Sequence, residues 1–220
     1  MKDLKRITII SGHYGSGKTN IAVNLAIDEK KKFDKVAVAD LDIVNPYFRT
    51  KDSMRDFEQN DIRLISSPYA GSNVDIPALP QEMYAITDDK SYRVIVDLGG
   101  DDRGALALGR LTPEIVAEND YEMLLVVNKF RPLTPDIEST VEVAREIEFA
   151  GKIKFTGVVN NSNLGEFTTE DDVLGSVRYA KDIASAMQIP VKFTSVKNDI
   201  YEKLKDKIEN LYSLELQAKI

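Results

Sequence analysis

The nonapeptide Ser11-Gly12-His13-Tyr14-Gly15-Ser16-Gly17-Lys18-Thr19 fits G-x-x-x-x-G-K-[ST], a pattern able to cradle phosphate. Glycines at 12, 15 and 17 let the backbone turn tightly enough for several amide N–H groups to face one anion. Lys18 would reach the β- and γ-phosphates, and Thr19 would set its hydroxyl on Mg²⁺. His13, Tyr14, Ser16 and Asn20 complete the stretch expected to touch a bound nucleotide. The helix beginning there would aim the positive end of its dipole at the phosphates.

Three acids are spaced to serve such a loop. Asp40 ends the apolar run Lys35-Val36-Ala37-Val38-Ala39-Asp40, and Asp42 follows two residues later, on the same face if the strand continues. One would hold a metal-bound water while the other orients the attacking water or takes its proton. Asp42 as a turn cap is the alternative. In Tyr92-Arg93-Val94-Ile95-Val96-Asp97-Leu98-Gly99-Gly100, Asp97 has the place of a Walker B acid holding Mg²⁺. Gly100, at D-x-x-G spacing, could offer its amide to the γ-phosphate. Arg103 reads as a solvated surface cation before it reads as an arginine finger.

Strands and helices must deliver these groups to one edge. Ile7-Thr8-Ile9-Ile10 precedes the loop, and a helix with apolar residues at 21, 25 and 26 follows. Further short apolar runs at 62–65, 123–129, 155–161 and 190–195 alternate with helical stretches, the pattern of a doubly wound, mainly parallel sheet in a three-layer α/β/α sandwich. Expected helix starts are Thr112, Thr134 with Pro135 at the first position, and Thr169 with Asp172 as a capping box. Gly151 is expected just beyond the end of the helix that Thr134 opens. A last helix is expected from about Asp199 to the C-terminus, with apolar positions 201, 204, 208 and 211. The segments 41–49 and 66–80 read as loops, the second either a lid or an inert excursion.

Asn128-Lys129 invites comparison with the guanine signature N-K-x-D, but position 131 is arginine, so the carboxylate for the guanine N–H groups is missing. Asn160 and Asn161 close another strand; their amides suit the N6/N1 edge of adenine, and equally the capping of the next turn.

The composition narrows the partners. Residues 1–220 show no linker or compositional break and read as one domain. A net charge of −7 argues against nucleic acid. The balanced charges of 201–220 argue against a membrane-binding helix, and no apolar run approaches the roughly 18 residues of a membrane span, so a cytoplasmic location is expected. There is no cysteine, hence no disulfide or thiolate metal site.

Together, Gly12 to Thr19, Asp40-Leu41-Asp42, Asp97-Leu98-Gly99-Gly100 and the strand ending in Asn160 resemble the ParA/MinD-like branch of P-loop NTPases. That branch includes the cobyrinate amidotransferase and dethiobiotin synthetase nucleotide-binding domains. The resemblance implies Mg·ATP binding and hydrolysis, with Asp42 activating water and a late-strand asparagine, Asn160, on the base. It implies a nucleotide-dependent homodimer as well. The family's loop carries a second lysine after its first glycine, crossing to the other subunit's phosphates; here that position is His13, and Tyr14 replaces a small residue. The alternatives are an ATP-dependent ligase or small-molecule kinase with a second substrate, and a non-catalytic nucleotide switch with a protein partner.

Overall fold

The computed structural model describes residues 3–42, 51–66, 81–100 and 102–215. Eight parallel strands form one sheet in the order β3-β2-β4-β1-β5-β6-β7-β8. They are β1 (Ile7–Ser11), β2 (Val36–Leu41), β3 (Arg63–Ser66), β4 (Arg93–Leu98), β5 (Tyr121–Val127), β6 (Gly157–Asn160), β7 (Val191–Lys197) and β8 (Leu211–Leu214). The helices are α1 (Lys18–Lys30), α2 (Lys51–Gln59), α3 (Ala85–Asp88), α4 (Asp102–Leu108), α5 (Thr112–Glu118), α6 (Ile137–Gly151), α7 (Glu170–Met187) and α8 (Asn198–Leu204). The doubly wound α/β architecture expected from the sequence is the one observed.

Strand parity divides the core. Ile7, Ile9, Val94, Val96, Met123 and Val158 face α4 to α7, whereas Ile10, Ile95, Leu124 and Val159 face α1 and α2. Because both faces are covered, the strands read as continuous apolar runs with no polar alternation. The loops leaving the strand C-termini therefore gather at one edge, where α/β sheets take their ligands.

Several expected boundaries differ. Thr112 does not cap its helix: Leu111 occupies that place, and the Thr112 hydroxyl donates to the Leu108 and Gly151 carbonyls at 3.2 and 2.7 Å. Asp136, not Thr134, caps α6, accepting from the Ser139 amide at 2.9 Å. From the N-cap position its carboxylate reaches the third amide of the helix. Gly151 is the last residue inside that helix, and Lys152 supplies the left-handed residue with φ 53°. The Thr169–Asp172 capping box is present as expected.

The C-terminal helix is shorter than its periodicity suggests. Leu204 and Ile208 are buried, but Asn210 turns left-handed (φ 54°) and the chain runs into β8. The Asn24 carboxamide holds it there, accepting from the Glu215 amide at 2.8 Å and donating to the Glu215 carbonyl at 3.0 Å. The Tyr212 hydroxyl adds a 2.7 Å bond to Asp28, and burial together with that carboxylate pushes the phenol up from its usual pKa. Strand pairing thus replaces helix because α1 offers β8 a ready-made edge clamp.

Away from the ligand edge, buried charges are paired. Arg6 forks onto Glu118 and the Tyr92 and Ile86 carbonyls, Glu29 takes Arg93 at 3.2 Å, and Glu122 takes Lys192 at 2.6 Å.

Candidate functional site

Between β1 and α1 the nonapeptide folds as a compact loop. Gly12 has φ 146°, and a Cβ there would lie 2.3 Å from the Val126 carbonyl oxygen, so no side chain fits. Gly100 closes the opposite side, where a Cβ would stand 2.3 Å from the Gly12 carbonyl oxygen. The end of β4 and the phosphate loop therefore touch backbone to backbone. Gly17, with φ 91°, leads into α1, whose first turn contains no acid to compete with an anion.

Lys18 is buried, and its ammonium donates to the His13 carbonyl across 3.4 Å. His13 itself lies with Nδ1 2.9 Å from the Tyr14 carbonyl, and Tyr14 is 67% exposed at the loop tip. Asn20 sits in the first turn of α1, half-exposed, its carbonyl accepting from Asn24 at 2.8 Å.

Asp40 and Asp97 are register partners on adjacent parallel strands, so both side chains lie on the α1 face. The Thr19 hydroxyl donates to Asp97 Oδ2 at 2.6 Å, and the Asp42 amide donates to Asp40 Oδ1 at 3.0 Å. All three acids are buried. Burial pushes the Asp97 carboxyl up to about 6, and the Asp42 carboxylate pushes the same way, opposed by the Thr19 bond and the Lys18 charge.

The buried side-chain atoms without a hydrogen bond show where something is missing. Among the described residues they are Ser11 Oγ, Ser16 Oγ, Asp97 Oδ1, Arg131 Nε and Glu122 Oε2. The last has Lys192 beside it; the other four surround the phosphate loop. Buried polar groups without partners are costly, so their concentration at one edge marks a place prepared for a polar ligand. Asp97 Oδ1 beside a threonine hydroxyl fits Mg²⁺, a hard cation that takes oxygen ligands and keeps waters. Among the described residues no cluster of three or more His, Cys, Asp or Glu encloses a metal, so the phosphates and waters would complete the shell.

Beside the loop runs a groove of about 130 Å³ lined by Gly15, Asn20, Arg131, Asn161, Asn163 and Thr168 among others. Asn160 is not among them. It is fully buried toward α7, donating to the Ser176 hydroxyl at 2.9 Å and accepting from Ser162 Oγ at 2.7 Å. Asn161, one residue on and so on the opposite face, donates to the Ser16 carbonyl at 2.7 Å and accepts from Ser195 at 2.8 Å. The structure thus brings Asn161 to the loop and spends Asn160 inside, the capping alternative left open by the sequence. Asn128 is likewise internal, accepting from the Phe130 and Asn163 amides at 3.0 and 3.2 Å. The expected loop at 41–49 falls outside the described residues from 43 onward, as do Asp101 and the 66–80 segment from 67 to 80; the Arg103 side chain is also outside them.

A buried aspartate near 6 has a measurable signature. Its folded pKa lies above the ordinary value of 3.8, so stability is greatest below that value and declines as pH rises through 6. In metal-free protein, Asp97→Asn is expected to raise stability by on the order of 2 kcal/mol at pH 7.5, the advantage vanishing toward pH 4 in urea titrations. Mg²⁺ affinity of the wild type should fall about 4-fold between pH 7.5 and 5.5 as the carboxylate protonates.

A phosphate loop after the first strand of a parallel sheet, with an acid at the end of β4 bonded to the loop threonine, defines a P-loop NTPase fold. The chain belongs to the family described as CobQ/CobB/MinD/ParA nucleotide binding domain, which matches residues 7–189. Comparison with curated proteins returned no match.

Among solved structures, the signal recognition particle receptor FtsY from Elizabethkingia anophelis is similar over 91% of this chain and 61% of its own, with 18% identity and TM-score 0.52. FlhF complexed with GTP/Mg²⁺ is similar over 87% of this chain and 66% of its own, with 18% identity and TM-score 0.56. A nucleotide-binding protein from Archaeoglobus fulgidus in complex with ADP is similar over 90% of this chain and 84% of its own, with 16% identity and TM-score 0.50. At these identities the likeness is one of fold, and the chain spans 61% of the length of that FtsY. Among the described residues no helix is long and apolar enough to cross a membrane.

Proposed function

We propose that this chain binds Mg·ATP at the loop Gly12 to Thr19 and hydrolyses it. The observation that carries the reading is the set of unpaired polar atoms around Thr19 and Asp97, together with the buried Lys18 ammonium. Lys18 and the loop amides bind the β- and γ-phosphate oxygens and oppose the charge that grows on them during transfer. Thr19 and Asp97 would hold Mg²⁺, and Asp40 fixes the neighbouring backbone through the Asp42 amide. When bound, the cation neutralises phosphate charge. Asp42 positions the attacking water and takes its proton. Gly100, packed against the Gly12 carbonyl, offers its amide to the γ-phosphate.

Adenine is favoured over guanine because the described residues lining the groove include no carboxylate to accept from guanine N1–H and N2–H₂. Asn161 and Asn163 supply amides for an adenine edge. The exposed tip formed by His13 and Tyr14 is the surface a second copy would meet in a nucleotide-dependent homodimer.

Native mass spectrometry of the purified protein, with and without Mg²⁺ and added ATP or GTP, tests base identity, phosphate count and oligomeric state together. Phosphate release that requires Mg²⁺ and prefers ATP is the expected result; retention of GTP alone would overturn the adenine assignment.

A further inference from the structure

The turn after β5 carries a cation with no side-chain hydrogen bond or ion pair among the described residues. Arg131 lies on that turn, between Asn128 and Thr134, which its backbone joins: its amide donates to the Asn128 carbonyl at 3.2 Å, and its carbonyl accepts from the Thr134 amide at 3.2 Å. The turn is fastened to the β6 side of the groove, because Asn128 accepts from the Asn163 amide and the Lys129 amide donates to Ser162 Oγ at 3.0 Å. The guanidinium is half-buried, has no ion pair or hydrogen bond among the described residues, and keeps a buried Nε without an acceptor. This contrasts with Arg6 and Arg93, each paired with a carboxylate and a backbone carbonyl.

Its orientation is fixed by Gly15. A Cβ built on that glycine would lie 3.3 Å from Cζ, 3.3 Å from Nε and 3.5 Å from Nη1. An edge-on approach would bring the nitrogens well inside the Cζ distance; their near equality means that the flat face of the guanidinium covers Gly15. Gly15 has φ 75°, and any side chain there would meet the guanidinium. One face of Arg131 is thus laid on the outside of the phosphate loop, and the same residue lines the groove with Asn20, Asn161 and Asn163.

We propose that Arg131 is a binding residue for the sugar–base half of the nucleotide, the guanidinium face turned away from Gly15 stacking on the base. This rests on the nucleotide-site reading above. A guanidinium face pairs with any aromatic ring, so the contact supplies affinity rather than base choice, which stays with the amide edges of the groove. The sequence alone presents Arg131 only as the residue that breaks a guanine signature; the structure gives it a surface and an unmet N–H.

Isothermal titration of ATP, GTP and tripolyphosphate, each with Mg²⁺, into wild type, Arg131→Ala, Arg131→Lys and Lys18→Ala tests this. Arg131→Ala should weaken ATP and GTP by a similar factor, about 3- to 30-fold, and leave tripolyphosphate unchanged. Arg131→Lys should recover only part of the loss, since an ammonium has no flat face. Unchanged ATP affinity in Arg131→Ala overturns the proposal, and so does an equal loss for ATP and tripolyphosphate, which would make Arg131 a phosphate contact. In either case Lys18→Ala still abolishes binding and the nucleotide site stands. Failure of the wild type to bind any nucleoside triphosphate would overturn the site and Arg131's role together.

Discussion

Lys18→Ala should abolish nucleotide binding, raising the Kd for Mg·ATP by more than about 100-fold, and with it all phosphate release. A charge-assisted hydrogen bond to phosphate in a buried setting is worth about 3 kcal/mol or more, because the competing solvent is excluded on both sides. Lys18 meets that condition: its side chain is buried and its hydrogen bond is a long one, 3.4 Å, to the His13 carbonyl. Truncation costs the folded protein little, so the melting temperature should stay near that of the wild type while the titration heat disappears. Undiminished affinity would mean that the loop holds no phosphate, and the functional reading would fall with it.

The residues that announced this site share a property: each belongs to a short contiguous pattern of residue types. The loop from Gly12 to Thr19 is legible because close backbone contacts leave only glycine at Gly12 and Gly100, whose ideal Cβ positions fall 2.3 Å from carbonyl oxygens. Asp40 and Asp97 are legible because each closes an apolar strand, and their register partnership follows from β2 lying beside β4.

What the sequence left open depends on long-range geometry. Asn160 and Asn161 are adjacent and chemically identical, so composition cannot choose between them. The choice is made by strand parity: Val158 faces α7 and takes Asn160 with it, while Val159 faces α1 and takes Asn161 to the loop. The last strand was hidden for a similar reason. Residues 201, 204, 208 and 211 keep helical spacing, yet the turn at Asn210 and the Asn24 clamp, 191 residues from Glu215, decide the outcome. Arg131 was legible only as a missing carboxylate, since its contact with Gly15 joins two loops that are neighbours solely because β5 lies beside β1.

Asp42→Asn should separate binding from chemistry. Removing a general base or water-orienting carboxylate typically costs about 10²- to 10⁴-fold in rate, so Mg·ATP turnover should fall at least about 100-fold, with ATP affinity within a few-fold of wild type. A second effect distinguishes this role from that of a turn cap. The Asp42 carboxylate raises the Asp97 pKa, so replacing it with a neutral amide lowers that pKa. The variant should thus be slower in hydrolysis, and in metal-free protein its Asp97 carboxyl should titrate at lower pH than in the wild type. Loss of ATP affinity as well as turnover would point to a disturbed fold around β2, where the Asp42 amide donates to Asp40 Oδ1. Normal turnover would make Asp42 a structural residue and leave the attacking water to another group.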